Sequence, residues 1–353
     1  MRRNHDYRWW RPLAFAGTGL GFFVALFIVV MLIIFVVALV NPANWAADPN
    51  GAPDSLLTEA DLDMTSPIDF TITMASLIIM IPAVYLAYLL LGSKPVGQLI
   101  SVAGRLRWRW FAMALGTSSL LFAAYFALSF GLTAAGVGGQ PDMAAVQGPA
   151  DPLFFALLVI LLTPFQCAAE ELVFRGALMQ IIGSWLKHPL FAILLPVPLF
   201  TFGHLYDVYG LLDVTAFAIA AGYLTWRTGG LEAAMAMHII NNTFLFLLGA
   251  MGQVDLNATS SGPMSLLFSV LFTAAADICP GQAVQQERRR PHRRANPAHD
   301  PAAATAALAD GPAGASPAPG LLGATDGSVR TAGPIALPAG LSSVSRVPVD
   351  ASR

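Results

Sequence analysis

Six polar side chains stand inside long apolar runs of this sequence: Glu170, Glu171 and Arg175 in one run, His204 in the next, His238 and Asn242 in a third. Ionisable groups at membrane depth are costly to bury, so each is a candidate for function. At 3.6 residues per turn, Glu171 and Arg175 are i,i+4 neighbours on one helix face, and Glu170 is turned about 100° away. This spacing predicts an ion pair between Glu171 and Arg175 and leaves Glu170 available for chemistry. An acid, two imidazoles and an amide are groups that transfer protons and donate hydrogen bonds.

The elements that must position them are membrane helices. Of 353 residues, 56% are hydrophobic and only 11% charged, and the mean hydropathy is +0.63. Soluble globular domains do not have this composition. The net charge of −2 conceals a segregation along the chain that orients the spans. With only Cys167 and Cys279, no disulfide framework or cysteine-based zinc site is available.

Residues 1–12 are basic, with four arginines and two tryptophans before the first apolar run, and predict a cytoplasmic N-terminus. Eight spans follow within residues 13–279. The first, Leu13 to Val40, is too long for a signal peptide and reads as a retained helix. A loop rich in Asp and Glu without Lys or Arg (41–68) reads as external, and the second span is Phe70 to Leu91. The segment with Lys94, Arg105, Arg107 and Arg109, interleaved with Trp108 and Trp110, reads as an interfacial cytoplasmic loop and not as a nucleic-acid patch. The third span is Phe111 to Leu132. The fourth, Pro152 to Trp185, is longer than a bilayer requires. The fifth, Pro189 to Tyr206, contains Pro196 and Pro198. The sixth ends near Trp226, the seventh runs from Leu231 to Met251, and a marginal eighth from Met264 to Cys279. Residues 280–353, rich in Ala, Pro and Gly, have the composition of a disordered tail, with a basic start that returns the C-terminus to the cytoplasm. The expected fold is therefore all-α, a polytopic bundle of about eight transmembrane helices.

At about 1.5 Å per residue from each cytoplasmic end, Glu170 lies roughly 20 Å in, His204 about 22 Å, His238 about 10 Å and Asn242 about 17 Å. One layer near the bilayer middle fits all four. Structural readings compete at each position. Glu171 with Arg175 reads as a buried structural pair, membrane histidines commonly join helices by hydrogen bonds, and Asn242 is suited to that too, with Asn241 the better candidate for the role. Cys167, about one turn from Glu170, reads as a small packing residue.

Three motifs in order, Glu170-Glu171-x-x-x-Arg175, Phe200-x-x-x-His204 and His238-x-x-x-Asn242, resemble the intramembrane CPBP family of CAAX prenyl endopeptidases of the Rce1 type and bacterial Abi and bacteriocin-processing proteins. The resemblance covers about residues 152–252. It implies that Glu170 and His204 activate a water and that His238 and Asn242 form an oxyanion site. Glu171 and Arg175 then support the helix, and Phe200 packs beside His204. An older view of that family makes Glu170, His204 and His238 zinc ligands. Two histidines and a glutamate are a plausible zinc set, but no compact His-Glu-x-x-His spacing is present and asparagine is a poor zinc ligand. A metal-independent mechanism is favoured, with no cofactor.

The expected protein is a multi-pass endopeptidase of the cell membrane, acting on a membrane-associated or lipid-modified peptide or protein. Its expected partners are membrane lipid and that substrate, with no nucleic acid. The alternatives are a zinc-dependent protease with the same residues, and a proton-coupled transporter or a non-catalytic scaffold, since buried Glu and His also build proton relays.

Overall fold

The computed structural model describes residues 8–40, 63–91, 95–136, 146 and 148–259. Every regular element among them is helical, as expected of an all-α protein. Ten α-helices follow one another: α1 Arg11–Val40, α2 Pro67–Ile78, α3 Met80–Leu91, α4 Trp108–Ala134, α5 Pro152–Glu171, α6 Met179–Trp185, α7 Pro189–Leu194, α8 Val197–Thr201, α9 Val208–Thr228 and α10 Glu232–Ala250. A 3-10 turn, Val96–Leu99, precedes α4, and a π-helical turn, Leu172–Leu178, joins α5 to α6. Six helical runs are long and apolar enough to cross a membrane: Arg11–Val37, Pro67–Leu91, Trp108–Ala134, Pro152–Trp185, Val208–Thr228 and Glu232–Ala250. The predicted eighth span, the tail and residues 1–7 lie outside the described residues.

Proline and capping residues set the boundaries. Asp151 caps α5 by accepting a hydrogen bond from the Phe154 amide at 3.0 Å, with Pro152 at the first helical position. Asp207 caps α9 in the same way through the Gly210 amide at 2.8 Å. Gly229, at φ 70°, closes α9 in the left-handed conformation that glycine adopts without a steric penalty. Pro82 has no amide to offer the Ile78 carbonyl, and the helix breaks at Ile79 between α2 and α3.

The predicted fifth span differs most from the structure. Pro196 and Pro198 split it into α7 and α8, because the carbonyls of Ala192 and Leu194 lose their helical donors. The helical part ends at Thr201, short of Tyr206. His204 therefore sits on the link between α8 and α9 and not within a helix.

Packing centres on α10, which contacts α4, α5 and α9. Its interface with α4 and α9 is built from Ala220, Ala221, Ala233, Ala234 and Ala236 around Trp110, Leu224 and Met237. Small residues let helix backbones approach closely where apolar burial gives little drive between helices in lipid. On the other side, Phe70, Met74, Phe155, Val159 and Ala250 join α2, α5 and α10. The α1 helix touches the bundle along one stripe, Phe15 meeting Tyr88 edge to face at 5.9 Å. Its other faces expose Leu20, Ile28, Leu32 and Ile33, side chains suited to acyl chains.

Candidate active site

The pairing of α5 with α10 builds the polar centre. His238 on α10 faces the two carboxylates at the end of α5: its Nδ1 is 2.9 Å from Glu171 Oε1 and its Nε2 is 3.6 Å from Glu170 Oε2. One turn further along α10, the Asn242 amide donates to Gln166 Oε1 at 3.4 Å. Gln166 is one turn before Glu170. As residue numbers rise along α10 they fall along α5, so the helices are antiparallel and the 238/242 face of one matches the 166/170 face of the other.

Arg175 pairs with Glu171, Nη1 donating to Oε1 at 2.9 Å. Glu171 Oε1 thus receives both Arg175 and His238. The guanidinium also donates from Nη2 to the Ala218 carbonyl of α9 at 3.2 Å and lies over the Phe200 ring, 4.4 Å from its centroid. Arg175 is on the π-helical turn, where each amide reaches five residues back and the helix locally widens. Glu170, Glu171, Arg175 and His238 are all buried. Buried ions need paired charges or hydrogen bonds, and here the partners come from two helices.

Aromatic rings wall the centre. Phe217 meets His238 edge to face at 4.9 Å, and Phe200 lies 6.3 Å from His238 and 5.0 Å from His204. His204 Nδ1 is 2.9 Å from the Phe200 carbonyl, which fixes the ring against its own chain. The Tyr206 ring lies 5.8 Å from that of His204, tilted by 33°.

Glu170, Glu171, Arg175 and His238 thus form one network. Asn242 joins it through Gln166, and Phe200 touches Arg175, His204 and His238. His204 enters through Phe200 and Tyr206. Three residues lay outside the sequence reading of this site: Gln166, Phe217 and Tyr206. Gln166 carries a legible signal, a polar residue one turn before Glu170 in an apolar run. Phe217 and Tyr206 carry none, because an aromatic residue in a span is commonplace.

The described residues contain no group of three or more His, Cys, Asp or Glu side chains gathered as a metal site. His238 turns one ring nitrogen to each carboxylate, and His204 Nδ1 is engaged by a backbone carbonyl. Among the described residues, Glu170, His204 and His238 do not form such a group.

A second polar clasp holds α10 at its start. Glu232, in its first turn, is fully buried. It accepts from the Arg107 amide at 3.0 Å, Nε at 2.8 Å and Nη2 at 2.7 Å, while Arg107 Nη1 donates to the Thr228 carbonyl at 3.2 Å. The loop ahead of Arg107 is tied to the same turn by backbone bonds, Val102 to Gly229 and Leu231 to Ile100. Gln180 on α6 donates to the Gln98 carbonyl at 2.9 Å. This loop fixes where α10 begins, and therefore where His238, six residues on, meets α5.

Residues 149–244, which contain every residue of this centre, match the model of the family described as type II CAAX prenyl endopeptidase Rce1-like. A protein of Bacillus subtilis (strain 168), described as uncharacterized protein YyaK, is 29% identical over 215 residues, covering 56% of this chain and 68% of that protein. No solved structure matches the chain.

Proposed function

We propose that this chain, which carries an Rce1-like CAAX prenyl endopeptidase domain over residues 149–244, is an endopeptidase of the cell membrane that hydrolyses peptide bonds in membrane-associated or lipid-modified substrates. The observation that carries the reading is the buried contact of Glu170 and Glu171 with His238 inside the matched region.

Glu170 Oε2 is buried and has no hydrogen-bond partner among the described residues, so it is free to accept a proton from a water. In the proposed reaction Glu170 takes that proton while the water oxygen bonds to the scissile carbonyl carbon. The carbonyl oxygen becomes an oxyanion, to which His238 Nε2 and the Asn242 amide donate. When the carbon–nitrogen bond breaks, Glu170 returns the proton to the leaving amine. His204 helps place the water.

Glu171 gives His238 its orientation. A carboxylate at Nδ1 demands a proton there, and a second proton on Nε2 makes the imidazolium a donor. Removing one donor to an oxyanion typically lowers kcat by about 10²–10³.

The test is hydrolysis of an internally quenched, C-terminally prenylated CAAX-type peptide by purified protein in lipid vesicles. Wild-type protein cleaves it, and Glu170→Gln, His204→Ala and His238→Ala lose the cleavage while accumulating normally in the membrane. Full activity in Glu170→Gln, or proton or solute flux in place of cleavage, refutes the proposal.

A further inference from the structure

We propose that Gln166 is a positioning residue that fixes the amide of Asn242 with its N–H side toward the reaction centre, and that Asn241 is the second anchor. The inference rests on the proposed reading of Asn242 as an oxyanion donor.

An asparagine amide can help or harm such a site. Its nitrogen donates to an oxyanion, while its oxygen repels one, and the two ends have nearly the same shape. A half-turn about the last side-chain bond exchanges them, so something must decide. Here, Asn241 Nδ2 donates to Asn242 Oδ1 at 3.0 Å, and Asn242 Nδ2 donates to Gln166 Oε1 at 3.4 Å. Turning the Asn242 amide over would set nitrogen against nitrogen at Asn241 and oxygen against oxygen at Gln166. One N–H of Asn242 is used by Gln166, and in the proposed reaction the second is the donor to the oxyanion.

The chain of amides has a direction, set at its far end. The Cys167 thiol, fully buried, lies 3.3 Å from the same Gln166 Oε1 and donates to it. Two donors on Oε1 hold the glutamine oxygen toward Asn242. Gln166 is itself buried, so water does not compete for these bonds. The helix register does the rest: residues 166 and 170 share one face of α5 and residues 238 and 242 one face of α10, so the residue that orients Asn242 sits a turn from the proposed base.

The experiment compares Gln166→Leu in two backgrounds with the same quenched prenylated peptide. In otherwise wild-type protein the substitution should lower kcat roughly tenfold with KM unchanged, the effect of losing one orienting hydrogen bond. In the Asn242→Ala background, assayed at an enzyme concentration raised to offset its slower turnover, it should have no further effect, because the group it acts through is gone. An equal fall in both backgrounds, or no fall in the first, overturns the proposal. The second readout does not depend on turnover: in selectively 15N-asparagine-labelled protein, the Asn242 side-chain amide resonances should shift on Gln166→Leu, and unmoved resonances also overturn it. If wild-type protein and its Glu170→Gln variant prove equally inactive, the reading of the site as a protease fails while the resonance shift still decides whether Gln166 holds Asn242.

Discussion

Arg107→Met removes the side-chain half of the clasp at the start of α10. Glu232 would keep its bond from the Arg107 backbone amide but lose the two from Nε and Nη2. Breaking a fully buried ion pair costs about 3–5 kcal/mol, since the remaining charge is stranded. The Arg107 side chain is 28% exposed, so solvent reaches one edge of the pair, and the expected loss is nearer 2–3 kcal/mol. For a bundle of this size that corresponds to a fall of about 5–10 °C in thermal midpoint. The assay is thermal unfolding of purified protein in a mild detergent, for wild type, Arg107→Met, Glu232→Met and the double variant. Removing both partners leaves no stranded charge, so the double variant should recover more than half of the loss seen in Arg107→Met. Gly230→Ala is an independent probe, because a Cβ there would meet the Glu232 carboxylate, with Arg107 Nη2 at 2.7 Å and Ser101 Oγ at 3.0 Å. An Arg107→Met midpoint within 1 °C of wild type, or a double variant no better than the worse single, would show that the clasp does not hold α10 in place.

Two further outcomes follow from other parts of the molecule. Burial alone would raise the Asp63 pKa, but hydrogen bonds from the Asn257 side chain and from the Thr65 hydroxyl and amide outweigh it and hold the carboxyl below its ordinary value. A depressed folded-state pKa stabilises above the unfolded value of about 3.9 and is lost as pH falls through the folded one. Asn257→Ala should therefore lower the thermal midpoint at pH 7, with the difference from wild type narrowing below about pH 4; a gap constant with pH contradicts the assignment. For the metal question, elemental analysis of purified protein is expected to find less than stoichiometric zinc and peptide cleavage is expected to survive chelation, whereas stoichiometric zinc whose removal abolishes cleavage refutes the metal-independent reaction.

The parts of this fold legible in sequence were those written in local signals. Asp151 and Pro152 mark the start of α5, and the helical run through α6 ends at Trp185 as its hydropathy suggested. The Glu171–Arg175 pair follows from i,i+4 spacing alone. What sequence could not reveal depends on helices meeting across long separations. His238 finds Glu171 across 67 residues, and no periodicity says which face of α10 turns to α5. Arg107 reads as one more basic residue at a membrane interface until Glu232, 125 residues away, is seen against it. The prolines at 196 and 198 announced a disturbed helix, but where the chain resumes and where His204 falls is set by packing on α9. The π-helical turn carrying Arg175 has no sequence signature.

The split helix α7–α8 bears on the lipid around the protein. Its 13 residues, Pro189–Thr201, rise only about 20 Å, against a hydrocarbon thickness of about 30 Å. The link that continues it exposes Phe202 and Leu205, at 78% and 85%. If this segment crosses the membrane with the six longer runs, its shortness would create a hydrophobic mismatch, which costs fractions of a kcal/mol per Å. A bilayer that thinned to match it would bring headgroups and their water toward His204, the one histidine of the centre that lies outside a helix. For the proposed hydrolysis, acyl-chain length would then be a variable, with thick bilayers keeping water from that edge and thin ones supplying it.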